Sequence, residues 1–190
     1  MTLLLELLWL AVPVIVSGLV HLAVMKLDLF PGLRALPMDG GATFRGQRVF
    51  GDNKTWRGAV VTLATVTASA WALAGLNDCC THLPTLVPFA ELHPLAWGCL
   101  LGTGYIVGEL PNSFAKRQLG IGPGASGQGL AGRVFWVVDQ LDSLAGMLFF
   151  VWPVWRPPVD LVLLLVAFML IAHPAAAWIM VIFGLKKRVG

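Results

Sequence analysis

The sequence predicts an all-α, polytopic integral membrane protein with about five transmembrane helices. Of its 190 residues, 57% are hydrophobic and only 12% are charged, whereas a soluble domain is about a quarter charged. Five apolar segments each approach the roughly 20 residues that a helix needs to cross a bilayer. Lysine and arginine residues lie between these segments rather than inside them. The composition therefore favours one compact membrane-embedded domain, and we expect it to cover residues 1–190.

The five apolar segments are separated by loops of unequal length. They span residues 3–25, 58–76, 94–110, 134–155 and 159–183. The third segment opens with Pro94, and proline is favoured at the first position of a helix. Pro13 and Pro174 lie inside segments, where neighbouring helices can satisfy the freed carbonyls. Several tryptophans lie near segment ends, which is typical of the aromatic belt at a membrane interface.

The cations are distributed very unevenly between the two predicted sides of the membrane. Twelve of the thirteen lysines and arginines lie in the 26–57 loop, the 111–133 loop or the C-terminal tail, and Arg156 lies on the other side. The positive-inside rule then places the N-terminus outside and the two large loops in the cytoplasm. We expect a multi-pass protein of the cell membrane with a cytoplasmic site. A net charge of only +3 disfavours nucleic acid as a partner.

The two large loops combine glycines with cationic, hydroxyl and amide side chains. They read PMDGGATFRGQRVFGDNKTWRG and GELPNSFAKRQLGIGPGASGQGLAGR. Glycine lets backbone N–H groups approach an anion, and Lys and Arg supply charge and hydrogen bonds. GDNKTWRG leads into a predicted helix, whose N-terminus favours anions. These features predict phosphate binding. The alternative is that the loops only contact anionic lipid headgroups.

Two acids lie in the first turns of the fourth apolar segment. Asp139 and Asp142 flank Gln140 within VFWVVDQLDSLAGMLFFVWPVW. An acid at the centre of a spanning helix costs about 2.5–3.5 kcal/mol on insertion scales and therefore indicates function. Residues three apart share one face of a helix. Two such carboxylates can hold Mg²⁺ together with substrate phosphates, so we predict a magnesium site here.

Glu109, at the end of the third segment, is either a third metal ligand or the partner of a cation. The two aspartates also have an alternative role, because Lys116, Arg117 or Arg133 can pair with them in a purely structural ion network. From the residues alone, we expect a membrane protein that gathers Mg²⁺ and a phosphate-rich ligand at its cytoplasmic face. The position of the acids at the edge of the bilayer favours a ligand that is partly lipid.

At these same residues the chain resembles the CDP-archaeol synthases. GDNKTWRG, residues 51–58, is similar to their GDGKTWRG motif, with Asn53 in place of glycine. GELPNSFAKRQLGI, residues 108–121, resembles GDLxxSFxKRRLGI, with Glu109 in place of aspartate. DQLD, residues 139–142, matches their DQLD. The motifs follow the family's order, and the resemblance covers essentially the whole chain.

The resemblance implies a cytidylyltransferase that converts CTP and a membrane lipid phosphate to a CDP-lipid and pyrophosphate. The lipid is implied to be an archaetidic-type acid, with phosphatidic acid as the other candidate. Mg²⁺ would be held by the acids of the motifs, namely Asp139, Asp142 and Glu109. The cations implied to neutralise phosphates are Lys54, Arg57, Lys116 and Arg117. The residues implied to bind substrate are Gly51, Asp52, Thr55, Asn112 and Ser113.

Two other function classes stay open at this point. A non-catalytic binder of lipid headgroups, or a lipid transporter, could keep the same fold, and the change to Glu109 with Pro111 leaves room for it. CDP-alcohol phosphotransferases also bind CDP-lipids with aspartates, but their pattern needs four spaced aspartates, and only the Asp139–Asp142 pair is present.

Overall fold

The structure is a computed structural model that describes residues 2–79 and 92–184, and the side chains from residue 7 onward except that of residue 78. Most of the chain forms five long helices. They are α1 (Thr2–Lys26), α3 (Trp56–Cys79), α4 (Pro94–Gln118), α5 (Gly129–Val151) and α6 (Val159–Ile182). The loop after α1 contains a one-turn helix, α2 (Pro31–Arg34), and two short strands, β1 (Thr43–Phe44) and β2 (Gln47–Arg48). The prediction of an all-α membrane protein is confirmed.

The five long helices pack in a closed ring around one apolar core. α1 contacts α3, α3 contacts α4, α4 contacts α5, α5 contacts α6, and α6 returns to α1. The core takes residues from all five helices, and its most deeply buried members include Val66, Trp97 and Leu161. The Trp97 and Trp155 rings meet edge to face at 5.5 Å. The membrane-facing residues outside this core are also apolar, as expected of helices that lie in lipid.

Within the described residues, four helices are long and apolar enough to cross a membrane. They cover Leu7–Lys26, Trp56–Asn77, Gly129–Val151 and Val159–Ile182. α4 matches them in length, but its C-terminal part carries Glu109, Lys116 and Arg117. The predicted five-span topology, and the sidedness drawn from it, stay predictions.

α4 ends later than the sequence suggested. We expected a helix over 94–110 and a loop from 111 onward, which is wrong because α4 continues past Pro111 to Gln118. The helix then stops at Gly120, whose φ of +72° is a conformation that favours glycine. Its N–H donates to Arg117 O (3.0 Å) and the N–H of Ile121 to Lys116 O (2.9 Å), which is the Schellman pattern of a helix C-terminus. Asn112 to Arg117 therefore lie on a rigid helix.

Candidate active site

The polar end of α4 lies directly against the middle of α5 (Gly129–Val151) because three glycines let the two backbones touch. A Cβ atom on Gly146 would lie 2.1 Å from the carbonyl oxygen of Gly104, and one on Gly108 would lie 2.4 Å from that of Asp142. No side chain fits at those distances. Small residues four apart on one helix commonly allow such close crossings in membranes. The crossing brings residues 112–117 of α4 opposite the predicted acids of α5.

At this crossing, three side chains surround the Asp139–Asp142 pair. The Asn112 amide nitrogen donates to Asp139 Oδ1 and to Asp142 Oδ2, both at 2.7 Å. Lys116 Nζ donates to both carboxylate oxygens of Asp139 at 2.9 Å. Ser126 Oγ donates to Asp139 Oδ2 at 3.1 Å. The two aspartates thus lie close together as predicted, and they form one cluster with Asn112, Lys116 and Ser126, which we call the acid cluster.

The 36–56 loop folds over the polar end of α4. Its two ends pair like strands: the N–H of Met38 donates to Lys54 O at 2.8 Å, and that of Trp56 donates to Leu36 O at 2.9 Å. The tip is the β1–β2 hairpin. The Phe44 ring lies 5.8 Å from the Phe114 ring of α4. These contacts hold GDNKTWRG next to the acid cluster.

Asp39 organises this loop from inside. Its side chain is 1% exposed. It accepts hydrogen bonds from the backbone N–H groups of Gly41, Phe50 and Gly51 and from Arg48 Nη2 at 2.6–3.1 Å. Burial alone would raise the pKa of Asp39, but the bonds from Arg48 and the three N–H groups hold that pKa well below its ordinary value. Asp39 therefore stays ionised and fixes the turn that presents Gly51.

Lys54 and Glu109 form an ion pair between the loop and α4. The two side chains are 20% and 22% exposed. Burial disfavours the charged form of Lys54, but the carboxylate of Glu109 and the more distant aspartates together outweigh burial and raise the pKa of Lys54 above its ordinary value. The charges of Asp142 and Asp139 act on Lys54 in the same direction. Lys54 is therefore a fixed cation at the edge of the acid cluster.

Arg117 is buried between α4 and the loop with much of its hydrogen-bonding capacity unused. Its side chain is among the buried polar groups, at 7% exposure. Nη2 donates to Gly122 O at 3.0 Å, but buried Nε and Nη1 have no hydrogen-bond partner among the described residues. A Cβ on Gly51 would lie 3.3 Å from Arg117 Cδ, and Gly51 has a φ of +92°. The glycine is required here, and Arg117 Nη1 lies only 3.5 Å from the place of its Cβ. The unused guanidinium donors suit an oxyanion.

The chain is similar to known proteins over nearly its whole length. The protein-family model described as CarS-like, CDP-archaeol synthase, matches residues 1–189. The chain belongs to the CDP-archaeol synthase family. A CDP-archaeol synthase of Pyrococcus furiosus is 36% identical over 145 residues, which cover 75% of this chain and 74% of that protein.

Other relatives match over a shorter stretch or in fold alone. A CDP-archaeol synthase of Halobacterium salinarum is 40% identical over 107 residues, or 56% of this chain and 53% of that protein. The chain thus spans about half the length of that relative. The solved structure of an intramembrane enzyme for archaeal membrane lipids biosynthesis shares the fold, with a TM-score of 0.60 and 22% identity over 89% of this chain and 90% of the other.

Glu109 is where this chain departs from the GDL motif of CDP-archaeol synthases, and the structure gives it a partner. The side chain pairs with Lys54 across the gap between α4 and the loop. In the part of the chain that the structure describes, no three His, Cys, Asp or Glu side chains lie close enough to hold a metal ion. Of the two roles expected for Glu109, its contacts match the partner of a cation.

Several predicted site residues lie outside the acid cluster. Arg57 Nη1 donates to Asp28 Oδ1 at 2.9 Å and to Leu29 O at 3.3 Å. Asp52, implied to bind substrate, is 81% exposed and pairs with Arg48 at 2.5 Å. Thr55 forms a backbone bridge with Pro37. Ser113 is buried on α4 beside Asn112.

Two residues near the site carried no clear signal in the sequence. Asp39 precedes Gly40 and Gly41, and an Asp-Gly-Gly run is a turn signal that does not reveal burial of the carboxylate. His21 of α1 lies with its Cε1 atom 3.4 Å from the place of a Cβ on Gly58. Its charged neighbours include Glu109, Arg57 and Lys54. Helix packing alone brings His21 there, so no spacing in the sequence could predict it.

Proposed function

We propose that this protein is a CTP-dependent cytidylyltransferase that converts a membrane lipid phosphate to a CDP-lipid. An oxygen of the lipid phosphate forms a bond to the α-phosphorus of CTP, the bond between that phosphorus and the β-phosphate oxygen breaks, and pyrophosphate leaves. The observation that carries the proposal is the buried Arg117, whose Nε and Nη1 have no hydrogen-bond partner among the described residues and whose Nη1 lies 3.5 Å from the place of a Cβ on Gly51. Membership of the CDP-archaeol synthase family supports the same reaction.

Phosphoryl transfer depends on positioning and charge neutralisation, and the site offers fixed cations for both. Arg117 supplies two nitrogens, Nε and Nη1, whose N–H groups are available for phosphate oxygens. Lys116 and Lys54 are each balanced by a carboxylate, that of Asp139 and of Glu109 respectively. In this proposal Lys116 and Lys54 bind the triphosphate of CTP, and later the leaving pyrophosphate, in place of their carboxylate partners.

Smaller roles fall to the neighbouring residues of the motifs. Gly51 and Thr55 line the route to Arg117 through the loop backbone, and Ser113 offers a hydroxyl on α4. Arg57 and Asp52 lie further out in the present arrangement. We assign these two to the approach of the nucleotide rather than to the reacting phosphates.

The acid cluster has the chemistry of a magnesium site. Mg²⁺ accepts one or two carboxylates together with substrate phosphates, and Asp139 and Asp142 share one face of α5 with their carboxylates bridged by a single nitrogen of Asn112. Asp139 is 27% exposed, so a ligand can reach it. We propose that Asp139 and Asp142 hold Mg²⁺, which when bound would neutralise the triphosphate charge. Glu109 lies with Lys54 and is a candidate ligand only if that pair opens.

An apolar groove beside the site suits the hydrocarbon part of the lipid. It lies between α3 and α4, with a volume of about 180 Å³, and is lined by residues that include Trp56, Val60 and Val107. Trp56 is two residues from Lys54, and Val107 is two residues from Glu109. A lipid chain in this groove would bring its phosphate to the Lys54 end. We propose an archaetidic-type acid as the substrate, because the curated relatives are CDP-archaeol synthases.

The proposed site also fits the predicted sidedness of the chain. Lys54, Lys116 and Arg117 belong to the loop regions that the positive-inside rule assigns to the cytoplasm, where CTP is available. We therefore propose that the protein lies in the cell membrane with this site facing the cytoplasm.

The test is transfer of radiolabelled CMP from CTP to lipid by the purified full chain in detergent with Mg²⁺. An archaetidic-type acid and phosphatidic acid are offered in separate reactions. We expect label in the organic phase with the archaetidic-type acid, and loss of at least about a hundredfold in Asp142→Asn. Asp142 is the better variant because Asp139 is also the counter-charge of buried Lys116. A folded protein that does not bind CTP and does not transfer label would overturn the proposal and favour a lipid-binding role.

A further inference from the structure

The Asn112 side chain is used at only one of its two ends. It is 8% exposed, and its amide nitrogen donates to Asp139 Oδ1 and Asp142 Oδ2, both at 2.7 Å. Its carbonyl oxygen Oδ1 is buried and has no hydrogen-bond partner among the described residues. An unpaired buried acceptor is unfavourable by about 1–3 kcal/mol. An unpaired buried acceptor in a native site indicates that a bound ligand supplies its partner.

The two carboxylates explain why the nitrogen faces inward when no cation is between them. A half-turn of the amide would place Oδ1 where the nitrogen now lies, 2.7 Å from an oxygen of each aspartate. Three acceptors that close together repel one another. A divalent cation among them reverses this preference, since carbonyl and carboxylate oxygens are both suitable Mg²⁺ ligands.

We propose that Asn112 is the third protein ligand of the divalent cation in the acid cluster, through Oδ1 after a half-turn of its amide. This inference rests on the proposed metal site at Asp139 and Asp142. Neighbouring ligands of an octahedral Mg²⁺ with bonds of 2.0–2.1 Å lie about 2.9 Å apart. The distances of 2.7 Å from the Asn112 nitrogen to one oxygen of each aspartate are close to that value, so these three groups could hold the cation after a small adjustment.

An amide ligand also accounts for two features of the site. The described residues contain no group of three His, Cys, Asp or Glu side chains able to hold a metal, and a site of two carboxylates and one amide needs none. Glu109 is then free to pair with Lys54. A neutral third ligand leaves the protein charge around the cation at that of two carboxylates, so phosphates of a substrate can still complete the coordination.

The experiment measures Mn²⁺ binding to the full chain in detergent, by loss of the free-Mn²⁺ signal in electron paramagnetic resonance. Asn112→Leu should bind Mn²⁺ at least about tenfold more weakly than the wild type, and Asn112→Asp at least as tightly. The matched control is Gln140→Leu. Gln140 is an equally buried amide next to Asp139 that donates to Trp136 O at 2.7 Å, and its loss should leave Mn²⁺ affinity unchanged.

Binding by Asn112→Leu that equals the wild type would overturn the inference, as would a wild type that binds no Mn²⁺. If Asn112→Leu does not fold, Asn112→Asp decides: weaker binding than the wild type would contradict a ligand role. The transfer assay separates this inference from the proposed function. CMP transfer together with an Mn²⁺ affinity that does not change with residue 112 would support the proposed function and contradict the ligand role of Asn112. Mn²⁺ binding that depends on residue 112 without CMP transfer would support the ligand role and contradict the proposed function.

Discussion

Asp39 in the 36–56 loop and the Asp139–Asp142 pair in the middle of α5 are acids with several hydrogen bonds, but their surroundings differ. The Asp39 carboxylate accepts four bonds from its own loop. The two aspartates of α5 instead lie near buried atoms that have no hydrogen-bond partner among the described residues, namely Asn112 Oδ1 and Arg117 Nε and Nη1. Near Asp39, Arg48 has one such atom, Nε, while both its terminal nitrogens are bound.

This difference distinguishes an acid that stabilises the fold, Asp39, from acids that bind a ligand, Asp139 and Asp142. A buried carboxylate whose acceptors are filled from within stabilises one conformation. Buried donors and acceptors that stay unfilled are unfavourable for the free protein, and a ligand recovers that energy. We therefore assign Asp39 to folding of the loop and the acid cluster, with Arg117, to substrate.

The largest effect on nucleotide binding is expected at Arg117. Arg117→Lys keeps the charge but removes the planar set of N–H groups that we assign to phosphate. Loss of hydrogen bonds to a charged group, at about 1.5–3 kcal/mol, should weaken CTP binding by about ten- to a hundredfold in isothermal titration calorimetry. Arg133→Lys, at an exposed arginine on α5, is the control and should bind CTP like the wild type. Unchanged affinity in Arg117→Lys would place the nucleotide elsewhere.

A smaller effect, on stability, is expected at Asp39. Asp39→Asn loses the charge that receives the bonds of Arg48 and three backbone N–H groups, which we expect to lower the free energy of unfolding by about 2–3 kcal/mol. Because the pKa of Asp39 is depressed in the folded state, the wild-type advantage should be fully present above the unfolded pKa of about 3.9. It should decline as the pH falls below that value. Thermal unfolding of both proteins in detergent between pH 3 and pH 8 measures the difference.

The smallest effect is expected at Asp52, which binds the same arginine as Asp39. Asp52 is 81% exposed, and an exposed ion pair contributes about 0–1 kcal/mol. Asp52→Asn should therefore shift the unfolding temperature much less than Asp39→Asn. Equal shifts in the two variants would show that the Arg48 contact, rather than the buried hydrogen bonds of Asp39, stabilises the loop.

The helices were predictable because each is a long apolar run, and apolar runs identify membrane helices independently of their neighbours. The end of α4 was not predicted, since residues 112–118 are mostly polar and the partners of Asn112 and Lys116 lie on α5, far away in the sequence. The same limit applies to the site. The pairing of the two aspartates follows from their spacing, whereas the pairing of Lys54 with Glu109, 55 positions later, depends on how α3 and α4 pack.

Asp39 shows a further limit of sequence reasoning. The loop sequence indicates glycine-rich turns and cations, but the short β1–β2 hairpin and its buried carboxylate arise from contacts within a loop that contains few apolar residues. The departure from the family motif at Glu109 was visible in the sequence, but only the structure assigns it a partner, Lys54.

The most direct test compares Asp142→Asn and Asp39→Asn in one experiment that records CMP transfer per folded molecule and unfolding temperature. Our account predicts that Asp142→Asn unfolds near the wild-type temperature but loses at least about a hundredfold in transfer. Asp39→Asn should unfold several degrees lower and, assayed below its transition, transfer CMP within a few-fold of the wild type. Wild-type transfer by Asp142→Asn, or a folded Asp39→Asn without activity, would contradict the assignment of the acid cluster to substrate and of Asp39 to the fold.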